Sequence, residues 1–174
     1  MENITVKEYI ELTESERFKF DFIYGHINEY KKQLINIEPM TYNDVKIILK
    51  EVLNQHPDIE KLFNMVFKTK KEKLLKMPLH IYFGKKKYIA SFFISLLNNE
   101  SKLLRSINVE EGKWLKAGGE RLNEFSDVLP LSQLAKIYGG YPLDYGNKPY
   151  LEIIYLLRMN SVQNQVENEY QKGK

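Results

Sequence analysis

Thr41-Tyr42-Asn43-Asp44-Val45-Lys46-Ile47-Ile48-Leu49-Lys50-Glu51-Val52-Leu53 is the stretch on which the fold class turns. Thr41 and Asp44 have the spacing of a helix N-terminus, and Val45, Ile48, Leu49, Val52 and Leu53 recur at intervals of three and four, as one buried helical face does. A strand would alternate instead. Toward the C-terminus, Pro57 ends the next connection, and Ile59, Leu62, Phe63 and Val66 repeat the stripe through about Lys71. Beyond the turn at Met77-Pro78, residues 79–107 carry the densest apolar face: Ile81, Tyr88, Ile89, Phe92, Phe93, Leu96 and Leu97. This is expected to be the central buried helix. Gly84 costs roughly 1 kcal/mol against alanine in a helix interior, so the helix is expected to start near Lys85 after an extended 79–83.

Upstream, Thr5 with Glu8 and Thr13 with Glu16 have capping-box spacing. Over 14–34, Phe18, Phe22, Ile23, Ile27, Tyr30 and Leu34 suit a helix, while Phe18, Phe20 and Phe22 also alternate as a strand would. The cap before them and the length of the pattern favour the helix, with a break at Glu38-Pro39. Downstream, Trp114, Ala117, Gly118, Arg121, Leu122 and Phe125 fall on one side of a helix over 109–125, where Gly118-Gly119 would admit a neighbouring backbone. A short helix over 131–138 stops at Gly139-Gly140. A loop over 141–146 follows, and Pro149 opens the last helix at its first position. That helix is apolar nearly all round over 150–159 and from Asn160 keeps only Val162, Val166 and Tyr170. The reading is all-α: a multi-helix bundle in a single domain, 1–174, with a long C-terminal helix protruding over 160–174.

The chain has 174 residues, 43% hydrophobic and 28% charged. That suits one folded domain and excludes collagen-like and disordered classes. It contains no cysteine, which excludes a disulfide framework, a thiolate nucleophile and cysteine-ligated zinc or iron–sulfur sites. Residues 1–8 are acidic and polar, so no export signal is expected. The apolar run over 88–97 is half the roughly 20 residues a bilayer span needs, and no membrane contact is expected.

Charge is uneven. Residues 68–87 hold eight lysines against Glu72, a local charge of +7, which leaves −4 for the rest under the formal +3. Lys70, Lys71, Lys73, Lys85, Lys86 and Lys87 are the candidate contacts for nucleic acid or an acidic partner. With no arginine in the run, lysines would act as point charges and bases would not be read. The plainer account of the same run is a solvated helix face followed by a loop.

Chemistry-bearing patterns are missing from the sequence. His26, His56 and His80 lack metal-ligand spacing, and no phosphate loop, dinucleotide fingerprint or nucleophile elbow occurs. Glu120 and Glu124 share a helical face if that segment is α-helical, and Glu110 and Glu111 lie nearby, but solvated helices carry such pairs routinely. No catalytic residue, metal or cofactor is assigned, and the expectation is a non-enzyme. Twelve tyrosines remain to be explained. Tyr138, Tyr141, Tyr145 and Tyr150 would suit a protein partner if exposed. Stacking on single-stranded bases and plain core packing are the competing uses.

The segment Trp114-Leu115-Lys116-Ala117-Gly118-Gly119-Glu120-Arg121-Leu122-Asn123-Glu124-Phe125, the short 131–138 helix, the Gly-Gly-Tyr-Pro turn, Pro149-Tyr150-Leu151-Glu152 and the closing Glu167-Asn168-Glu169-Tyr170 together resemble small virion-assembly proteins of tailed bacteriophages of the crAss-like kind. The resemblance covers about the last 95 residues. It implies a head-to-tail connector or ring protein of the virion, assembled in the host cytoplasm, with tail-assembly chaperone as a relative in kind. The implied partners are portal or neighbouring ring proteins and further copies of the chain in a homo-oligomeric ring, with non-specific DNA contact at the lysines. The subunit contacts expected on this reading are Tyr141, Tyr145, Tyr150, Val162, Val166 and Tyr170. A small nucleic-acid-binding factor using the lysine-rich segment is the alternative.

Overall fold

The computed structural model describes residues 4–104 and 118–172. Among them are nine α-helices and no strand, in keeping with the all-α reading. Both capping boxes form. Glu8 and Glu16 accept the backbone N–H groups of Thr5 and Thr13 at 2.7 and 2.9 Å, opening α1 (Val6–Glu11) and α2 (Glu14–Gly25). Phe18, Phe20 and Phe22 are therefore helical. The helix ends at Gly25 and does not continue to 34.

Thr41 and Asp44 exchange the expected side-chain bonds, each 3.1 Å, at the start of α3 (Tyr42–Leu53). Asp58 caps α4 (Ile59–Phe67), and Lys68, at φ 54°, ends it in the left-handed region. The single helix expected to run to Lys71 is thus two, the second being α5 (Lys71–Leu75). α6 (Leu79–Leu104) runs through Gly84 without an extended entry. The glycine serves approach: a Cβ there would sit 2.9 Å from Tyr30 Cβ, and the Tyr30 N–H donates to the Gly84 carbonyl at 3.0 Å.

The helix expected over 109–125 differs in its described part. Gly118 has φ 77° and Gly119–Phe125 is a 3₁₀ helix. Trp114, Ala117, Glu110 and Glu111 lie outside the described residues. α7 (Leu129–Tyr138) stops where expected, at Gly139 and Gly140 with φ 81° and 87°. The expected loop is a short helix, α8 (Pro142–Gly146), with Pro142 at its first position. α9 (Tyr150–Lys172) begins one residue after Pro149, whose carbonyl accepts from the Ile153 N–H.

The chain packs as two compact units. The first takes in Met1–Asn36 and Ile47–Leu96. Its core is a train of aromatic rings: Phe63 stacks on Tyr82 at 5.6 Å, Phe83 stacks on Tyr24 at 5.5 Å, and Tyr9 meets Phe83 edge-on at 5.7 Å. The Val6 and Leu79 N–H groups pair with the carbonyls of Met77 and Ile4, tying the N-terminal stretch to the α5–α6 corner. The second unit takes in Ile37–Lys46 and Leu97–Lys174. A two-rung clasp closes it: the Tyr42 N–H donates to Lys148 O at 3.0 Å and the Tyr150 N–H to Met40 O at 2.9 Å. Val45, Leu131, Leu134, Tyr150 and Ile153 are among the buried side chains of this unit.

Candidate functional site

The lysine-rich segment spans the end of α4, all of α5 and the start of α6. Lys68, Lys70, Lys71, Lys73, Lys76, Lys86 and Lys87 are exposed. Lys85 is not: it is 7% exposed, donates to Gln33 Oε1 at 2.6 Å and lies 4.4 Å over the Phe67 ring. Burial lowers its pKa, the opposite of what a DNA-facing cation needs. Lys85 is thus withdrawn from the expected contact surface, because helical geometry turns the first of three consecutive lysines inward. Lys71 pairs with Glu60 at 3.0 Å, and Lys87 donates to the Ile27 carbonyl. Lys70 and Lys71 line a hollow with Lys61, Asp58 and Glu60, so the field there is of mixed sign.

The tyrosines divide in the same way. Tyr141 is exposed, and Tyr138 is exposed while its hydroxyl donates to Asn160 Oδ1 at 2.9 Å. Tyr145 is buried, its hydroxyl donating to the Gly139 carbonyl at 2.8 Å. Tyr150 is 1% exposed. Neither is available as a surface contact; Tyr145 instead holds the Gly139 turn in place, and Tyr150 is turned inward.

Tyr150 belongs to a buried polar cluster that residue patterns alone do not reveal. Its hydroxyl donates to Glu100 Oε2 at 2.9 Å, while Lys46 Nζ meets Glu100 Oε1 at 2.7 Å and lies 5.0 Å over the Tyr42 ring. Tyr42 stacks on Tyr150 at 6.3 Å, and its own buried hydroxyl has no partner. Burial, then the Glu100 charge, pushes both phenols up. No signal in the sequence singles out Glu100, whose partners lie 54 and 50 residues away.

The terminal helix has two opposed faces. Ile153, Ile154, Leu157 and Asn160 are buried. Leu151, Tyr155, Met159, Val162 and Val166, spaced by four or three, form an exposed apolar row, with Tyr155 67% and Val166 59% exposed. The row runs about 22 Å along the helix. Tyr170 continues it, also exposed. Only its distal part is legible in the sequence, because residues 150–159 are apolar on both faces.

His26, His56 and His80 are exposed at or beside helix ends. Glu120 and Glu124 are exposed on the 3₁₀ helix, whose three-residue turn takes them off a shared face. Among the described residues no cluster of acidic and histidine side chains would hold a metal ion, and no helix is long and apolar enough to cross a membrane. No protein-family model matches the chain, and neither a curated protein nor a solved structure resembles it significantly.

Proposed function

We propose that the chain is a structural subunit of a tailed-bacteriophage virion, a head-to-tail connector or ring adaptor that works through contacts with other protein chains. The observation that carries this reading is the exposed apolar row on α9. A continuous line of Leu, Tyr, Met and Val on a solvent-facing helix is costly unless another chain covers it, and its spacing is that of a helix laid in a groove. The exposed Tyr141 beside the Gly139-Gly140 turn, and the resemblance carried by the C-terminal motifs, support the same reading. The test is twofold. Purified particles should contain the chain in fixed stoichiometry, and native mass spectrometry of the isolated chain should show a defined ring. The Val162→Glu/Val166→Glu variant should lose the ring while keeping its helical circular dichroism. A chain absent from particles and monomeric at all concentrations would sink the proposal.

A second reading, a small nucleic-acid-binding factor, is favoured by one observation: seven of the eight lysines over 68–87 lie on the surface. Its signature is an affinity for DNA that falls steeply with salt. Flat salt dependence would remove it.

A further inference from the structure

In the second unit a groove of about 680 Å³ runs between α7 and α9, beside the end of α6. Leu104, Ile137 and Leu157 give it apolar walls, and Asn160 and Asn164 line it with amides. Lys136 is the one charged residue among the described side chains that line it. Asn160 is 9% exposed; its Oδ1 is taken by Tyr138, and its Nδ2 donor has no partner. A buried N–H left unpaired is costly. A groove that combines such a donor, a single cation and apolar walls is complementary to an acidic, partly apolar segment.

The chain itself carries that segment. On the distal half of α9, Val162, Val166 and Glu169 follow the i, i+4, i+7 spacing of a helix that docks in a groove, and all three are exposed. We infer that the groove receives the distal half of α9 from a second copy of the chain, its valines against Leu104, Ile137 and Leu157 and its Glu169 carboxylate between Lys136 and the Asn160 amide. This rests on the assembly reading above and names the contact. Asn160 and Val162 project about 200° apart around the helix, so one copy presents groove and docking face on opposite sides of α9. The contact is heterologous: each copy gives and receives, and the chain of contacts closes into a ring when the rotation permits.

The absence of native cysteine makes a direct test clean. Full-length Lys136→Cys and Glu169→Cys chains, mixed and mildly oxidised, should form a disulfide-linked pair, while neither variant alone should cross-link. Separately, Lys136→Glu should weaken self-assembly at least tenfold, and mixing with Glu169→Lys should restore it. Cross-linking of Glu169→Cys alone would overturn the inference in favour of two-fold pairing of terminal helices. Assembly indifferent to both charge reversals would overturn it too, assigning the groove to a different partner and leaving the assembly reading intact. Absence from particles would sink the assembly reading, even if the mixed disulfide forms.

Discussion

Lys46 and Tyr150 divide the carboxylate of Glu100 between them, the ammonium on one oxygen at 2.7 Å and the phenol on the other at 2.9 Å. Three parts of the chain, the starts of α3 and α9 and the end of α6, meet at that one side chain. Glu100→Ala leaves a largely buried cation unpaired and is expected to cost about 3 kcal/mol or more. Tyr150→Phe, which removes one hydrogen bond to a charged group, should cost about 1.5–3 kcal/mol. Replacing both charges, as Lys46→Met with Glu100→Leu, should recover most of the Glu100→Ala loss. Urea unfolding measures all three, and additive losses in the double variant would refute the coupling.

Alkaline pH should unfold the chain through its phenols. Burial raises Tyr82 to about 12 and drives Tyr42 and Tyr150 higher still. Tyr9 is also raised, by burial and by its hydrogen bond to Asp21. The folded chain therefore holds protons that the unfolded chain releases near the ordinary 10.0. That stability is fully present below pH 10 and drains as the pH climbs through the folded values. A late rise in phenolate absorbance should coincide with loss of helical circular dichroism. Complete phenol ionisation with the helices intact would contradict it.

Gly84→Ala should destabilise despite alanine's advantage of roughly 1 kcal/mol in helix propensity. The new methyl carbon would come within 2.9 Å of Tyr30 Cβ and 3.2 Å of the Asn28 carbonyl oxygen. Forcing these apart costs typically about 1–3 kcal/mol and breaks the Tyr30 to Gly84 backbone bond. A raised melting temperature would show that the 28–30 segment yields freely.

Neighbouring lysines should behave oppositely. Lys85→Ala removes the hydrogen bond to Gln33 and the packing over Phe67, an expected loss of about 1–2 kcal/mol. Lys86→Ala, on the surface, should stay within about 0.5 kcal/mol of the parent. If the second reading holds, Lys86→Gln with Lys87→Gln should reduce the salt slope of DNA binding by about one unit for each phosphate no longer neutralised. Melting curves and salt titrations separate the two effects.

Where a cap and a stripe agree, the sequence can be read directly: Thr5 with Glu8, Thr13 with Glu16 and Thr41 with Asp44 each start a helix, and Gly139-Gly140 ends one. What escapes reading depends on proximity between residues distant in the chain. Gly84 looks like a helix breaker until Tyr30 is placed against it, and Lys68 gives no local sign of left-handed backbone. The candidate contacts Lys85, Tyr145 and Tyr150 have side chains at home in core or solvent, and only the packing of α6, α8 and α9 turns them inward. Glu100 and the groove at Asn160 are hidden for the same reason, since each takes its meaning from partners far away in sequence.

The clasp between Met40–Tyr42 and Lys148–Tyr150 also governs timing. During translation, residues 37–46 leave the ribosome long before their partners exist, and closing so long a loop must wait for the far side of the clasp. A nascent or prematurely ended polypeptide therefore has no completed second unit, and only chains synthesised into α9 can bury its core.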